Sequence, residues 1–123
     1  MTVDKETGIP VVTVCGDLTR SDFRHFLSEM RSVPAFWDSA RHLWDLRQVT
    51  RYPSTSELHS LAQFVQAHVD PPYTVATVVA QEVHYGLSRM FAILSDKPGV
   101  TSRVFRDYDL ARAWLLRAEL QDV

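Results

Sequence analysis

The sequence predicts an α/β fold with a mostly parallel five-stranded sheet, an antiparallel hairpin strand at its amino-terminal end and about four helices. Short apolar runs typical of strands alternate with segments whose apolar residues recur at helical spacing. The run YTVATVVA, residues 73–80, is apolar on both faces, as a strand covered on both sides should be. Strands that alternate with helices usually pair in parallel, because each helix returns the chain to the start of the next strand.

The amino-terminal segment predicts a β-hairpin followed by a helix. Residues 2–5 and 9–15 have the composition of two short strands around a turn that contains Gly8. Pro10 cannot donate a hydrogen bond to a sheet, so we expect this hairpin near a sheet edge. Thr19 can cap the helix that follows. The apolar residues of that helix recur at i, i+3, i+4 and i+7, namely Phe23, Phe26, Leu27 and Met30.

The middle of the chain predicts a short strand, a polar loop and a second helix. The strand is HLWDLR, residues 42–47, and the loop after it is rich in polar residues. Ser54 and Glu57 have the spacing of a capping box, which marks the start of the helix. The apolar stripe of this helix consists of Leu58, Leu61, Ala62 and Val65. The sequence Asp-Pro-Pro at residues 70–72 should end it.

The last third of the chain predicts a helix, a strand and a final helix. Residues 84–95 form the first of these helices, with Leu87, Met90, Phe91 and Leu94 on one face. Residues 100–106, VTSRVFR, are a more polar strand, which we expect nearer a sheet edge. Asp107 can cap the last helix. That helix carries Leu110, Ala111, Trp114 and Leu115.

Length and composition indicate a single globular domain, residues 1–123, of 46% hydrophobic and 23% charged residues. The net charge of −2 argues against nucleic acid as a partner, because duplex-binding proteins need a basic surplus. The apolar runs are far shorter than the roughly 20 residues that span a bilayer, and the first residues do not form a signal peptide. Cys15 is the only cysteine, so no intrachain disulfide can form, and we expect the protein to be cytoplasmic. No cation lies beside Cys15 in the sequence, so we expect it to be buried and structural.

No catalytic or metal-binding constellation is recognisable in the sequence. His59 and His68 lie nine positions apart on one predicted helix and would face opposite sides, so we expect no metal ion. The four glycines form neither a dinucleotide fingerprint nor a phosphate loop, and we expect no cofactor. Glu82, His84 and Tyr85 could act as acid and base, but they are also ordinary residues for a helix start. We therefore predict a protein that is not an enzyme.

The predicted topology places four connections at one edge of the sheet. Parallel strands end at the same edge, and ligands of such sheets bind beyond it. Here the edge consists of residues 16–19, 47–56, 81–85 and 106–109. A helix start attracts anions, and nearby arginines and hydroxyls strengthen that attraction. We therefore expect a ligand, an anion or a phosphorylated hydroxyl at Arg47, Arg51, Ser54, Thr55 and Ser56. The neighbouring edge residues are Asp17, Asp45, His84 and Tyr85.

A plainer interpretation of the same residues is favoured by the Ser-x-x-Glu spacing. In that interpretation Ser54 only caps the helix, while Arg47 and Arg51 are solvated or pair with Asp45. Separately, we expect Asp17 to pair with Arg47 or to cap locally.

Four segments, taken in order, resemble the SpoIIAA-like proteins of the STAS superfamily. They are VVTVCGDLT, LWDLRQV followed by a Ser-capped helix, YTVATVVA, and VFRDYDLARAWL. The resemblance covers nearly the whole chain. It implies a β-α superhelix with strands roughly in sequence order. It also implies a non-enzymatic regulator or interaction module that binds a protein partner or a small anionic ligand and can self-associate as a homodimer.

The best-known proteins of this superfamily are antagonists of anti-sigma factors that are switched by phosphorylation of a serine. That serine begins the second helix, in a pattern like Asp-Ser-Ser-Gly. This chain has DLRQVTRYPSTSE at the corresponding place, without that pattern and with a longer loop. Ser54, Thr55 and Ser56 therefore match the family's serine in position only.

The same resemblance implies a second interpretation. Some relatives are grouped with CRAL-TRIO lipid-binding domains, which implies a carrier of an apolar or amphipathic ligand with possible membrane contact. The aromatic segment of residues 33–37 fits that alternative. It falls in residues 31–41, where we expect a loop with about one helical turn that buries Phe36 or Trp37.

Overall fold

The computed structural model describes residues 2–3, 7–18, 40–68 and 72–121 of the chain. Strands and helices alternate in these ranges, so the predicted α/β fold is confirmed. The strands are β1 (Thr2–Val3), β2 (Pro10–Asp17), β3 (Arg41–Arg51), β4 (Tyr73–Val78) and β5 (Val100–Phe105). The helices within the described ranges are α1 (Thr55–His68), α2 (Glu82–Leu94) and α3 (Tyr108–Gln121).

Strands β2 to β5 form a parallel sheet in the order in which they occur in the sequence. Helix α1 connects β3 to β4, and α2 connects β4 to β5. The two residues of β1 pair antiparallel with the start of β2. The intervening residues 4–6 lie outside the described ranges, so the hairpin and the five-stranded count stay predictions. The helix predicted to begin at Thr19 also lies outside the described ranges, so the count of about four helices stays a prediction. The aromatic segment of residues 33–37 lies outside them too.

Apolar side chains pack on both faces of the sheet. On one face, α3 packs against β3, β4 and β5. The buried residues there are Ile9, Val11, Leu43, Ala76, Val78, Ala111 and Leu115. The other face buries Val12, Val14, Leu18, Leu46, Val49, Val79 and Val104. Neighbouring residues such as Val78 and Val79 belong to opposite faces, as the alternation of side chains along a strand requires.

Strand β3 is longer than the sequence predicted. Its first half, up to Asp45, pairs with both β2 and β4, whereas its second half pairs with β2 alone. Residues 48–51, predicted as part of a polar loop, are therefore strand. The pairing with β2 continues through two register shifts, one of them beside Gly16, whose φ is 91°. Glycine adopts that backbone conformation without the steric cost that a side chain would add.

Helix α2 buries residues outside its apolar stripe, and α3 buries only part of its predicted apolar set. Helix α2 buries His84 and Ser88, while its stripe of Leu87, Met90, Phe91 and Leu94 is only half-buried. The polar side of α2 is buried because Tyr52, from the connection after β3, packs against it. In α3, Leu110 is 60% exposed, so Ala111 and Leu115 form its buried face. None of the helices in the described ranges is both long enough and apolar enough to cross a membrane.

Candidate functional site

The carboxyl edge of the sheet is held together by hydrogen bonds between neighbouring strand ends. The N–H of Leu18, which follows β2, donates to the carbonyl oxygen of Arg51 at 2.8 Å. The N–H of Val79, which follows β4, donates to the carbonyl oxygen of Phe105 at 3.0 Å. These bonds fix the ends of β2 and β3, and the ends of β4 and β5, as pairs.

Arg47 is bound by a carboxylate of its own strand. Its Nε and Nη2 donate to Oδ1 and Oδ2 of Asp45, each at 2.8 Å, and its backbone N–H donates to Oδ1 at 3.2 Å. The side-chain bonds from Arg47 lower the pKa of the Asp45 carboxyl against the opposing effect of burial. The guanidinium also lies 5.0 Å from the centre of the Tyr108 ring. This is the pairing that the plainer interpretation expected.

Arg51 points largely into solvent, with its side chain 71% exposed. Its Nη1 lies 3.8 Å from Oδ2 of Asp17. The expected pairing of Asp17 with Arg47 is wrong, because Arg47 is bound by Asp45. The parallel register of β2 and β3 places Asp17 opposite Arg51 instead. The expected local cap by Asp17 stays a prediction, because the residues that follow Leu18 lie outside the described ranges.

The start of α1 is capped as its sequence predicts. The hydroxyl of Ser54 accepts a hydrogen bond from the N–H of Glu57 at 3.2 Å and donates to Glu57 Oε1 at 3.1 Å. The carbonyl oxygen of Ser54 accepts from the N–H of Leu58 at 2.9 Å. Thr55 and Ser56, in the first turn, are exposed. The Ser54 hydroxyl thus serves the helix, while the next two hydroxyls lie at the surface.

A third arginine–carboxylate pair lies at the start of α2. Arg106 Nε lies 2.5 Å from Glu82 Oε1, and Arg106 Nη2 donates to Oε2 at 2.8 Å. This bond holds the pKa of Glu82 below its ordinary value. The Arg106 guanidinium lies 3.8 Å from the centre of the Tyr85 ring, and that of Arg89 lies 5.8 Å from it. Arg106 was not among the predicted site residues, although its place directly after a strand at this edge was a usable signal.

Tyr52 links the β3–α1 connection to α2. Its ring stacks on His84, with ring centres 4.5 Å apart and 21° between the planes. Its hydroxyl shares a hydrogen bond of 2.5 Å with Ser88. Burial raises the pKa of Tyr52 to about 12, and burial lowers the pKa of His84. Tyr52 and Ser88 were not among the predicted site residues, although the i, i+4 spacing of His84 and Ser88 places both on one helix face.

Two of the residues considered as acid or base, Glu82 and His84, already contact other side chains at this edge. Glu82 is bound by Arg106, and His84 is buried against Tyr52. Among the residues that the structure describes, no three His, Cys, Asp or Glu side chains come together as a metal site. Cys15, expected to be buried, is exposed on β2. The arrangement is rich in arginine, tyrosine and paired carboxylates at a surface.

Comparison with known proteins identifies one family. A family model described as SpoIIAA-like matches residues 9–116 of the chain. The matched range begins just before β2 and ends within α3, so it covers most of the chain. No curated protein and no solved structure matches the chain significantly.

Proposed function

Because the chain belongs to the SpoIIAA-like family, we propose that it is a non-enzymatic regulatory or interaction module that binds a protein partner. The proposed contact area, which we call the partner surface, is residues 47–56 at the carboxyl edge of the sheet. Its contact residues are Arg47, Arg51, Ser54, Thr55 and Ser56. The residues Asp17, Asp45, His84 and Tyr85 border it.

The strand order carries this proposal. Open α/β sheets bind small ligands in the crevice that forms where the strand order reverses. In this sheet β2, β3, β4 and β5 follow one another in sequence order, so these four strands contain no such reversal. An edge without a switch point is better suited to a broad protein contact than to a small ligand.

The side chains of the partner surface support the same choice. A small anion at Arg47 would have to compete with the two hydrogen bonds from its guanidinium to Asp45. Arg51 extends into solvent beside Asp17 and could reach a second molecule. Arginine and tyrosine are enriched at protein interfaces, and Tyr85 and Tyr108 both lie under arginines here.

The pairing of Glu82 with Arg106 and the burial of His84 support the proposal that the protein is not an enzyme. A general base must reach the proton that it removes, whereas His84 is 4% exposed. Glu82 is exposed, but its two carboxylate oxygens are paired with Arg106. A turnover that depended on either side chain would contradict this part.

Two other interpretations of the chain have less support. A phosphoryl group on Thr55 or Ser56 would lie at the positive end of α1, where negative charge is favoured. The family's serine pattern is missing there, however. The carrier interpretation rests on residues 33–37, which lie outside the described ranges, and none of the contacts described above favours it.

Site-specific photo-crosslinking tests the partner surface. A photo-reactive amino acid in place of Ser56, in the protein's own host, should give one dominant crosslinked product. The matched control places it at Thr101, which is also exposed but lies at the opposite, amino-terminal end of β5.

The control position should give no such product. A product of twice the chain's mass would identify the partner as a second copy. Equal products from both positions, or none from Ser56, would contradict the proposal.

A further inference from the structure

His84 is a buried imidazole at a helix start. It lies in the first turn of α2, which begins at Glu82, and only 4% of it is exposed. One face of its ring is covered by Tyr52, whose hydroxyl bonds to Ser88 one turn further along α2. The three side chains therefore form one packed unit, which we call the Tyr52–His84–Ser88 unit.

This position suits a neutral imidazole and opposes a charged one. Burial removes the water that an imidazolium needs, and the positive end of the α2 dipole repels it. The face of the Tyr52 ring would attract a cation, which is a compensating effect. Burial nevertheless lowers the pKa of His84, so the neutral form is the one that the fold holds.

Within residues 40–68 and 72–121, no hydrogen bond or ion pair joins His84 to an acidic side chain. Tyr52 faces it from the β3–α1 connection, and its pKa is raised to about 12, so the phenol is neutral near neutral pH. In the same turn of α2, the Glu82 carboxylate is bound by Arg106, which follows β5. The Ser88 hydroxyl is already bonded to Tyr52.

Tyr52 couples this unit to the partner surface. It occupies the short connection between Arg51, the last residue of β3, and Ser54, the cap of α1. Arg51 faces Asp17 across the sheet, and Ser54 fixes the start of α1. A displacement of Tyr52 therefore acts on residues 52–54, between these two held ends of the connection.

We propose that protonation of His84 releases Tyr52 from its stack and so makes the partner surface sensitive to acid. This inference rests on the proposed function, because it assigns a regulation to the same surface. In neutral solution the Tyr52–His84–Ser88 unit holds residues 52–54 in the described arrangement. In acid the imidazolium leaves the stack for water, and the connection rearranges.

An NMR titration of the free protein from about pH 8 to about pH 5 tests the switch. The midpoint of the His84 imidazole signals should lie below the ordinary 6.5. The backbone amide signals of Tyr52 and Ser54 should move with the same midpoint. His84→Gln should abolish that movement. His59→Gln, which removes an exposed imidazole from α1, should leave it intact.

Two results would overturn the switch. One is an imidazole that titrates while the amides of Tyr52 and Ser54 stay in place. The other is an unchanged amide transition in His84→Gln. If that variant does not fold, the comparison of midpoints within the unaltered protein still decides the question.

The same titration separates this inference from the proposed function. If the chain has no partner, the amide transition still occurs in the free protein while crosslinking from position 56 fails at every pH. If only the switch is wrong, crosslinking from position 56 succeeds equally at neutral and acidic pH.

Discussion

Arg47 and Arg51, both on β3, form ion pairs of different geometry, and we assign them different roles. Arg47 makes two hydrogen bonds of 2.8 Å to Asp45, whose side chain is only 8% exposed. Arg51 approaches Asp17 only to 3.8 Å, and both side chains are well exposed. A bidentate pair with a buried carboxylate contributes to stability, whereas a loose exposed pair contributes little. We therefore assign Arg47 a largely structural part of the partner surface and Arg51 the part that reaches outward.

The first prediction compares the two aspartates. Asp45→Asn should lower the free energy of unfolding by about 1–2 kcal/mol near neutral pH, because it removes the charged acceptor of a bidentate pair. Asp17→Asn, the matched control, should change it by less than about 0.5 kcal/mol. Urea denaturation of the three proteins measures both differences.

The effect of Asp45 should also depend on pH in a fixed direction. The pKa of Asp45 is lowered from 3.8 in the folded state, so its stabilising effect is present above 3.8 and is lost as the pH falls towards the folded value. The unaltered protein and Asp45→Asn should therefore converge in acid. Equal effects of the two aspartate substitutions near neutral pH would contradict this account.

The second prediction concerns the phenol of Tyr52. Tyr52→Phe leaves the buried Ser88 hydroxyl without its partner and should cost about 1 kcal/mol near neutral pH. An unfolded tyrosine ionises near 10, whereas the folded value is about 12, so ionisation of the unfolded state destabilises the unaltered protein above pH 10. The advantage of the unaltered protein should shrink there and then reverse. Urea denaturation on both sides of this pH measures it, and a constant difference would rule the explanation out.

At the scale of whole elements, helix starts are fixed by local sequence. Asp107 Oδ1 accepts a hydrogen bond from the N–H of Leu110 at 3.0 Å, as a cap of α3 should. Ser54 plays the same part for α1. Both caps were predictable, because a cap and its partner lie three residues apart and need no other element.

The third prediction follows from these caps. Asp107→Ala and Ser54→Ala should each lower the free energy of unfolding by about 1 kcal/mol. Asp109→Ala, in the first turn of α3 but outside the cap, should cost less than about 0.5 kcal/mol. Thermal unfolding followed by circular dichroism measures the three variants. A larger loss from Asp109→Ala than from Asp107→Ala would contradict the assignment of the cap.

What the sequence could not predict at this scale depends on pairing between distant segments. The parallel sheet and the start of α1 follow from alternation and capping. The true length of β3 depends on β2, which pairs with residues 48–51 through two register shifts. The polar buried side of α2 depends on Tyr52, which arrives from a connection 36 positions before Ser88. The apolar spacing within β3 or within α2 does not reveal these contacts, because β2 and Tyr52 lie elsewhere in the chain.

At the scale of the molecule, the order of the strands determines what kind of site the edge can be. The candidate residues of β3 and α1 were predictable as neighbours, because parallel strands end together. The pairing of their charged side chains was not predictable, because the register of β2 and β3 determines that Asp17 lies opposite Arg51. The sequential sheet, the family membership and the outward Arg51 together favour a surface for another protein over a pocket for a small ligand.

The most direct test of this account is native mass spectrometry of the protein purified from its own host, compared with two charge reversals. Arg51→Glu changes the partner surface, and Arg103→Glu makes the same change at an exposed arginine of β5. We expect the unaltered protein and Arg103→Glu to retain a protein partner. Arg51→Glu should retain it at least about tenfold less, because a reversed charge opposes the partner. A chain without a protein partner, a lipid-sized adduct in its place, or equal retention by all three proteins would contradict the account.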